Sequence, residues 1–270
     1  MTKSKTKTES AAIVEPDIDT TVEALQPFLA RLVILLGRGN RGKTTLGRYV
    51  AEEAYAAGRD PLIADADRNN DTLSRFFPHV VSPESADEKD VESFIARLIE
   101  NMVATGRSTL LDLTGGDTVL KRLAGDMQLS TWLPSVGIEP VAVHVLGPNS
   151  DDCAFLRSTE HERLFAPPAT ALVLNAGVVP QGISPEEAFH RTVSENPVIV
   201  ATVERGARIV TMPRLACATE VEERRLSFAD AAANRDPNGG QALGLWKAQQ
   251  VTLWRRAMEL NFASIKEWML

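Results

Sequence analysis

Leu32-Val33-Ile34-Leu35-Leu36-Gly37-Arg38-Gly39-Asn40-Arg41-Gly42-Lys43-Thr44-Thr45 is the stretch from which the rest of the chain can be read. Its first five residues are apolar, partly β-branched, and lack polar alternation. That pattern reads as a short parallel strand buried on both faces. Residues 37–44 then match the phosphate-loop pattern G-x-x-x-x-G-K-[ST] in full. Glycines in such a loop let backbone N–H groups converge on phosphate oxygens. The helix that opens behind the loop adds partial positive charge at its N-terminus. Gly37, Arg38, Gly39, Asn40, Arg41, Gly42, Lys43, Thr44 and Thr45 therefore read as one phosphate cradle. Lys43 is placed to reach β- and γ-phosphates, and Thr44 to ligate magnesium.

Outward from the loop, residues 45–57 carry Leu46, Val50 and Ala54 at helical spacing, and Gly58 ends the helix. Short apolar runs recur at 61–64, 109–113, 141–146, 171–174 and 208–212. Helical patterns fall between them, at 91–104 and 185–193, and a long one closes the chain. Strands alternating with helices predict an α/β fold, a doubly wound, mostly parallel sheet flanked by helices. Such sheets bind ligands at the carboxyl ends of their strands. No internal repeat or second-domain linker interrupts the pattern. Residues 27–270 read as a single phosphate-loop domain and residues 1–26 as a flexible tail. Residues 235–240 read as a turn before the last helix.

The 270 residues are 44% hydrophobic and 24% charged, which fits one globular domain. A net charge of −7 argues against a molecule that is basic overall and built to wrap nucleic acid. Cys153 and Cys217 lack metal-ligand spacing and read as reduced, buried thiols. The first ten residues have no apolar stretch behind their lysines, so no targeting segment is expected and the expected location is cytoplasmic.

Three further strand ends carry polar residues at the ligand edge. Asp65-Ala66-Asp67 presents two carboxylates two residues apart, Asp65 suited to a magnesium shell and Asp67 to positioning a water. Leu110-Leu111-Asp112-Leu113-Thr114-Gly115-Gly116 is an apolar strand ending in an aspartate that would hold magnesium, with Gly115 able to bring a backbone N–H to the γ-phosphate. Leu172-Val173-Leu174-Asn175 ends in an amide, which can both donate and accept and so suits an adenine edge; a turn-forming asparagine is the alternative. The four histidines, His79, His144, His161 and His190, have no ligand spacing and read as core or surface residues.

Together these residues resemble the ParA/MinD group of ATPases, whose deviant Walker A motif is Lys-Gly-Gly-x-Gly-Lys-Thr-Thr. The aligned stretch is Arg38-Gly39-Asn40-Arg41-Gly42-Lys43-Thr44-Thr45. The group's Asp-x-Asp switch is similar to Asp65-Ala66-Asp67, its Walker B aspartate to Asp112 and its adenine-reading asparagine to Asn175. Met212-Pro213 resembles the proline after the last strand, whose neighbourhood lines the base, so that Pro213 joins the nucleotide set. The match runs from about Leu32 to Pro213. The runs at 147–148 and 206–215 also resemble StbB/TraL-type relatives of conjugative plasmids. Two departures stand out: Arg38 replaces the signature lysine and Asn40 the second glycine. They bear on dimer-coupled activation more than on nucleotide binding.

The resemblance implies a slowly hydrolysing switch ATPase that takes ATP and Mg2+. It implies an ATP-dependent homodimer, a stimulating protein partner, and non-specific DNA or a membrane as the working surface. Lys43, Asp67 and Arg38 become the catalytic residues, Arg38 by reaching the partner's phosphates. Thr44, Asp65 and Asp112 become the metal set. The cargoes of the group are plasmids, chromosomes or protein assemblies. Two other classes fit a phosphate loop: a small-molecule kinase or ligase, and a non-hydrolysing nucleotide-dependent adaptor. In the closing helix, Trp254, Met258, Ile265 and Trp268 fall roughly along one face, with Arg255, Arg256 and Lys266 nearby. That stripe reads first as packing on its own domain. MinD-type relatives lay such a helix on membranes instead.

Overall fold

The computed structural model describes residues 30–67, 73–114, 118–161 and 164–270. The expected tail, 1–26, lies outside the described residues, as does Gly115. In chain order the elements are β1 (Ala30–Leu36), α1 (Lys43–Ala56), β2 (Leu62–Asp65), α2 (Glu88–Thr105), β3 (Thr109–Asp112), α3 (Thr118–Asp126), α4 (Leu129–Ser135), β4 (Ile138–Leu146), α5 (Ala154–His161), β5 (Ala169–Asn175), α6 (Pro185–Ser194), α7 (Pro197–Glu204), β6 (Arg208–Met212), α8 (Ala218–Glu223), α9 (Phe228–Ala232) and α10 (Leu245–Asn261). The strands pair in parallel in the order β2-β3-β1-β4-β5-β6. This is an α/β, parallel sheet flanked by helices, with the phosphate-loop motif between β1 and α1.

Three apolar clusters among the described residues explain the strand runs, and two of them cover the faces of β1. Val33 and Leu35 of β1 face α1 and α10, in a cluster with Leu46, Val143, Val173, Trp254 and Met258. Leu32, Ile34 and Leu36 face the other way, with Phe94, Ile95 and Leu98 of α2 and Leu120 of α3. A strand covered on both faces needs apolar side chains at every position, which removes the alternation seen in half-exposed sheets. β1 is flanked by β3 on one side and β4 on the other. The chain crosses over β1 between β3 and β4, so the order reverses there, and the loop after β1 opens into the crevice this reversal creates.

Local chemistry sets the helix ends. Asn196 accepts from the N–H of Val198, with Pro197 as the first helical residue of α7. Gly106 ends α2 in the left-handed region at φ 66°. β4 starts at Ile138, three residues before the expected start, and runs through Pro140. Its ladder with β5 begins only at Val141. Pro140 therefore sits where one side of β4 has no strand partner, which accommodates a residue without an N–H.

The closing helix ends earlier than its pattern suggests. α10 stops at Asn261 and the chain continues as a 3-10 turn, Ala263–Trp268. Trp254, Met258, Ile265 and Trp268 are all buried in the core against α1 and α9, as the packing reading expects. Trp254 stacks edge-on to Tyr49 at 5.6 Å and lies 4.7 Å from Phe228 between ring centres. Among the described residues no helix is long and apolar enough to cross a membrane.

Candidate functional site

The loop after β1 is shaped at three residues. Gly37 has φ 126°, and a Cβ there would stand 2.4 Å from the carbonyl oxygen of Val145. Asn40 takes the left-handed conformation at φ 58°, which asparagine adopts more readily than other side chains. Gly42 also turns left-handed, at φ 89°, and caps α1, whose first residue is Lys43. A Cβ on Gly42 would fall 2.5 Å from Nδ2 of Asn175. Glycine is thus required at Gly42 twice over, by conformation and by space.

Lys43 is buried to 6% exposure, and Thr44 follows it on the first turn of α1. The Thr44 hydroxyl donates to Asp112 Oδ2 at 3.1 Å, joining the helix start to the end of β3. Asp112 is 2% exposed and its Oδ1 has no hydrogen-bond partner. Burial pushes the Asp112 carboxyl up to about 7; Lys43 pulls it down, and the nearby Asp65 raises it further. Asp65 lies in register with Asp112 on the neighbouring strand. Its two oxygens accept the N–H groups of Asp67, at 3.0 Å, and Leu73, at 3.3 Å. Asp65 thereby holds both ends of the segment that follows β2.

A hydroxyl, a buried carboxylate with an orphaned oxygen and a second carboxylate alongside fit a hard divalent cation that takes its other ligands from phosphate and water. Among the described residues no group of three or more His, Cys, Asp or Glu side chains could hold a metal ion by itself. A P-loop magnesium site does not need one.

The loop opens on a cleft of about 1100 Å3. Gly39, Asn40, Gly42, Lys43, Thr44 and Thr45 form one wall, with Asp67 at one end. Asn175 and Met212 line it beside Gly42, and Pro213 and Trp254 line it too. The Trp254 indole N–H donates to the Pro213 carbonyl at 2.8 Å, which ties α10 to the cleft lining. Asn175 is placed by β5 at the loop itself. Its Nδ2 donates to the Arg41 carbonyl at 2.7 Å, and its Oδ1 accepts from Gly177 N at 2.7 Å. One N–H and one lone pair of the amide remain for a ligand.

The two loop arginines part company. Arg41 Nε donates to Asp152 Oδ1 at 2.7 Å, and the Asp152 side chain is fully buried. Arg38 is 56% exposed and 3.9 Å from Asp151, itself 82% exposed. Sequence reading did not pick out Asp152, whose signal is the capping pattern Asn149-Ser150-Asp151-Asp152 behind β4. It also missed Arg75, Thr219 and Glu222, which line the cleft too. They sit in short helices with no periodic pattern to mark them. His144 is a core residue, 1% exposed in β4, and burial, helped by Arg205, pushes its imidazole down to about 3. Cys153 and Cys217 are free and buried.

No family model matches the chain, and no curated protein matches it. Among solved structures, the MinC:MinD cell division protein complex of Aquifex aeolicus is similar at 11% identity, covering 85% of this chain and 96% of that chain, with a TM-score of 0.47. The MinD cell division protein of Aquifex aeolicus is similar at 16% identity, over the same shares and with the same TM-score of 0.47. Likeness at that level assigns no function to this chain.

Proposed function

We propose that this chain is a ParA/MinD-like switch ATPase that binds ATP with magnesium, pairs with a second copy while ATP is bound, and hydrolyses slowly until a protein partner stimulates it. The observation that carries the proposal is the junction of Lys43, Thr44 and Asp112. A buried lysine and a hydroxyl at a helix N-terminus meet a carboxylate with an orphaned oxygen, beside a loop whose glycines leave room for phosphates.

Lys43 neutralises β- and γ-phosphate oxygens, helped by the N–H groups at the start of α1. Thr44 and Asp112, with Asp65 adding negative potential, form the magnesium set. Magnesium, when bound, would supply charge neutralisation to the phosphates. Asp67 lines the cleft and orients the attacking water, and phosphoryl transfer depends chiefly on such positioning. Gly115 contributes a backbone N–H to the γ-phosphate. Asn175 offers its remaining N–H and lone pair to an adenine edge, with Pro213 beside it. Arg38, on the exposed side of the loop, reaches the phosphates of the second copy.

The proposed setting is plasmid or chromosome partition, conjugation of the StbB/TraL kind, or positioning of a protein assembly. DNA or a membrane is the surface, and the location is cytoplasmic. A kinase or ligase reading draws on Arg75, Thr219 and Glu222, further polar residues of the cleft lining that would face a second small molecule. One experiment separates these readings: phosphate release from MgATP by the full chain, alone and with DNA or lipid vesicles, paired with sedimentation in ATP and magnesium. Dimerisation with turnover stimulated by a surface supports the switch. Phosphate transfer to an added metabolite supports the kinase. Dimerisation with no turnover supports an adaptor, and absence of magnesium-dependent nucleotide binding overturns all three.

A further inference from the structure

A phosphate loop works only if its N–H groups point inward, and that requires its carbonyls to point outward. An outward carbonyl at the edge of a buried crevice needs a donor, because leaving it unpaired costs its full desolvation. Two side chains from outside the loop hold one residue, Arg41, and the first of them meets this need. Asn175, at the end of β5, donates Nδ2 to the Arg41 carbonyl at 2.7 Å. Asp152, behind β4, accepts from Arg41 Nε at 2.7 Å. Arg41 is thereby fixed at its backbone and at its side chain, one residue before the left-handed Gly42 and two before Lys43.

The Asp152 end is built into the fold. The Asp152 carboxylate has no exposed surface, while the Arg41 side chain keeps 21%. Its other oxygen accepts the N–H of Asn149 at 3.3 Å. Gly147 makes the approach possible: a Cβ there would stand 2.4 Å from Asp152 Oδ2 and 3.0 Å from Arg41 Cδ. A fully buried carboxylate is costly unless a cation meets it, and the cation that meets Asp152 belongs to the loop.

We propose that Asp152 is a positioning residue for nucleotide phosphate: through Arg41 it fixes the carbonyl that Asn175 holds, and so aims the N–H groups of Gly42 and Lys43. It touches no ligand itself. The inference rests on the nucleotide-binding reading above and assigns that site a support it does not otherwise have. Because the brace acts on the phosphate loop and not on the base, its loss weakens ATP and GTP alike.

The test is calorimetric titration of MgATP and MgGTP into the full chain and its variants, with melting temperatures taken without nucleotide. Asp152→Asn keeps the shape and removes the charge. It is expected to weaken both nucleotides about ten-fold, the scale of one charge-assisted hydrogen bond, while the melting temperature stays near the parent's because Arg41 can turn to water. Arg41→Met combined with Asp152→Asn is expected to lose no more than Asp152→Asn alone, since partners in one contact do not add. If Asp152→Asn fails to fold, Arg41→Lys serves in its place; it keeps the surface charge, loses the Nε contact, and is expected to weaken both nucleotides several-fold. A parent that binds MgATP, with Asp152→Asn or Arg41→Lys within two-fold of it, overturns the brace alone. Additive losses in the double variant overturn it too, and so does a loss confined to ATP. A parent that binds no nucleotide overturns the nucleotide reading and the brace with it.

Discussion

Two residues separate Arg38 from Arg41, and the two halves of the loop are held in opposite ways. From Arg41 to Thr44 every residue is pinned: Arg41 by Asp152 and Asn175, Gly42 by its closeness to Asn175, Lys43 by burial, and Thr44 by Asp112. From Arg38 to Asn40 the side chains are exposed, the Arg38 contact with Asp151 is long, and Gly39 has open space where a side chain would go. An exposed ion pair contributes little, so Arg38 can leave Asp151 at almost no cost. The inner half is built to hold a fixed geometry; the outer half is built to be reached.

Substitutions across the two halves test that division. The largest effect is expected for Lys43→Ala, which leaves phosphate charge uncompensated in a buried site. MgATP affinity should fall by about a hundred-fold or more, with the fold retained by circular dichroism. Affinity kept within a few-fold would remove the phosphate-loop assignment. Gly42→Ala comes next, since φ 89° and the 2.5 Å approach to Asn175 oppose any Cβ. Nucleotide affinity should drop by about ten-fold or more through displacement of Asn175. An unchanged titration would show that the inner half gives way easily.

A pH effect of similar size follows from Asp112. Its carboxyl is held up to about 7, so at pH 6 only about a tenth of it is ionised. The ionised form is the one a cation needs. The magnesium-dependent part of ATP affinity should therefore fall about ten-fold from pH 8 to pH 6, and Asp112→Asn should flatten that dependence. Stability of the nucleotide-free protein runs the other way. A carboxyl whose folded value is raised carries no penalty well below its ordinary range, and a growing one as pH rises toward 7. Urea midpoints at pH 5 and pH 8 check the sign.

The outer half should respond weakly. Asn40→Ala places an ordinary side chain at φ 58° and should cost about 1 kcal/mol in denaturant unfolding, while Asn40→Gly costs nothing. Smallest of all, Arg38→Ala should leave MgATP affinity of the monomer within about two-fold, because its contact with Asp151 is exposed and 3.9 Å long. The same variant should remain monomeric in sedimentation with ATP and magnesium if Arg38 reaches a second copy; dimerisation and turnover like the parent's would remove that role.

The strands were legible because each is buried on both faces and so reads as an unbroken apolar run. Their polar last residues, Asp65, Asp112 and Asn175, were legible as ligand-edge positions because a parallel sheet brings its carboxyl ends together. Three things were not. Pro140 hid the first three residues of β4, since the missing β5 partner that accommodates it shows only in the register. The break after Asn261 follows from how Phe262 and Ile265 pack on α1, a contact local periodicity does not carry. Asp152 lies 111 residues from Arg41, and no local pattern pairs them. The sequence suggests Asn175 as a base reader; the fold shows a hold on the loop that only proximity reveals.

Trp254 has one more consequence. Its indole is 4% exposed, forms part of the cleft surface, and spends its N–H on the carbonyl of Pro213. A fluorophore in that setting emits toward the blue, and anything that enters beside Pro213 changes the polarity around it. With Trp132, Trp246 and Trp268 replaced by phenylalanine, Trp254 would be an optical gauge of occupancy, readable in a stopped-flow cell.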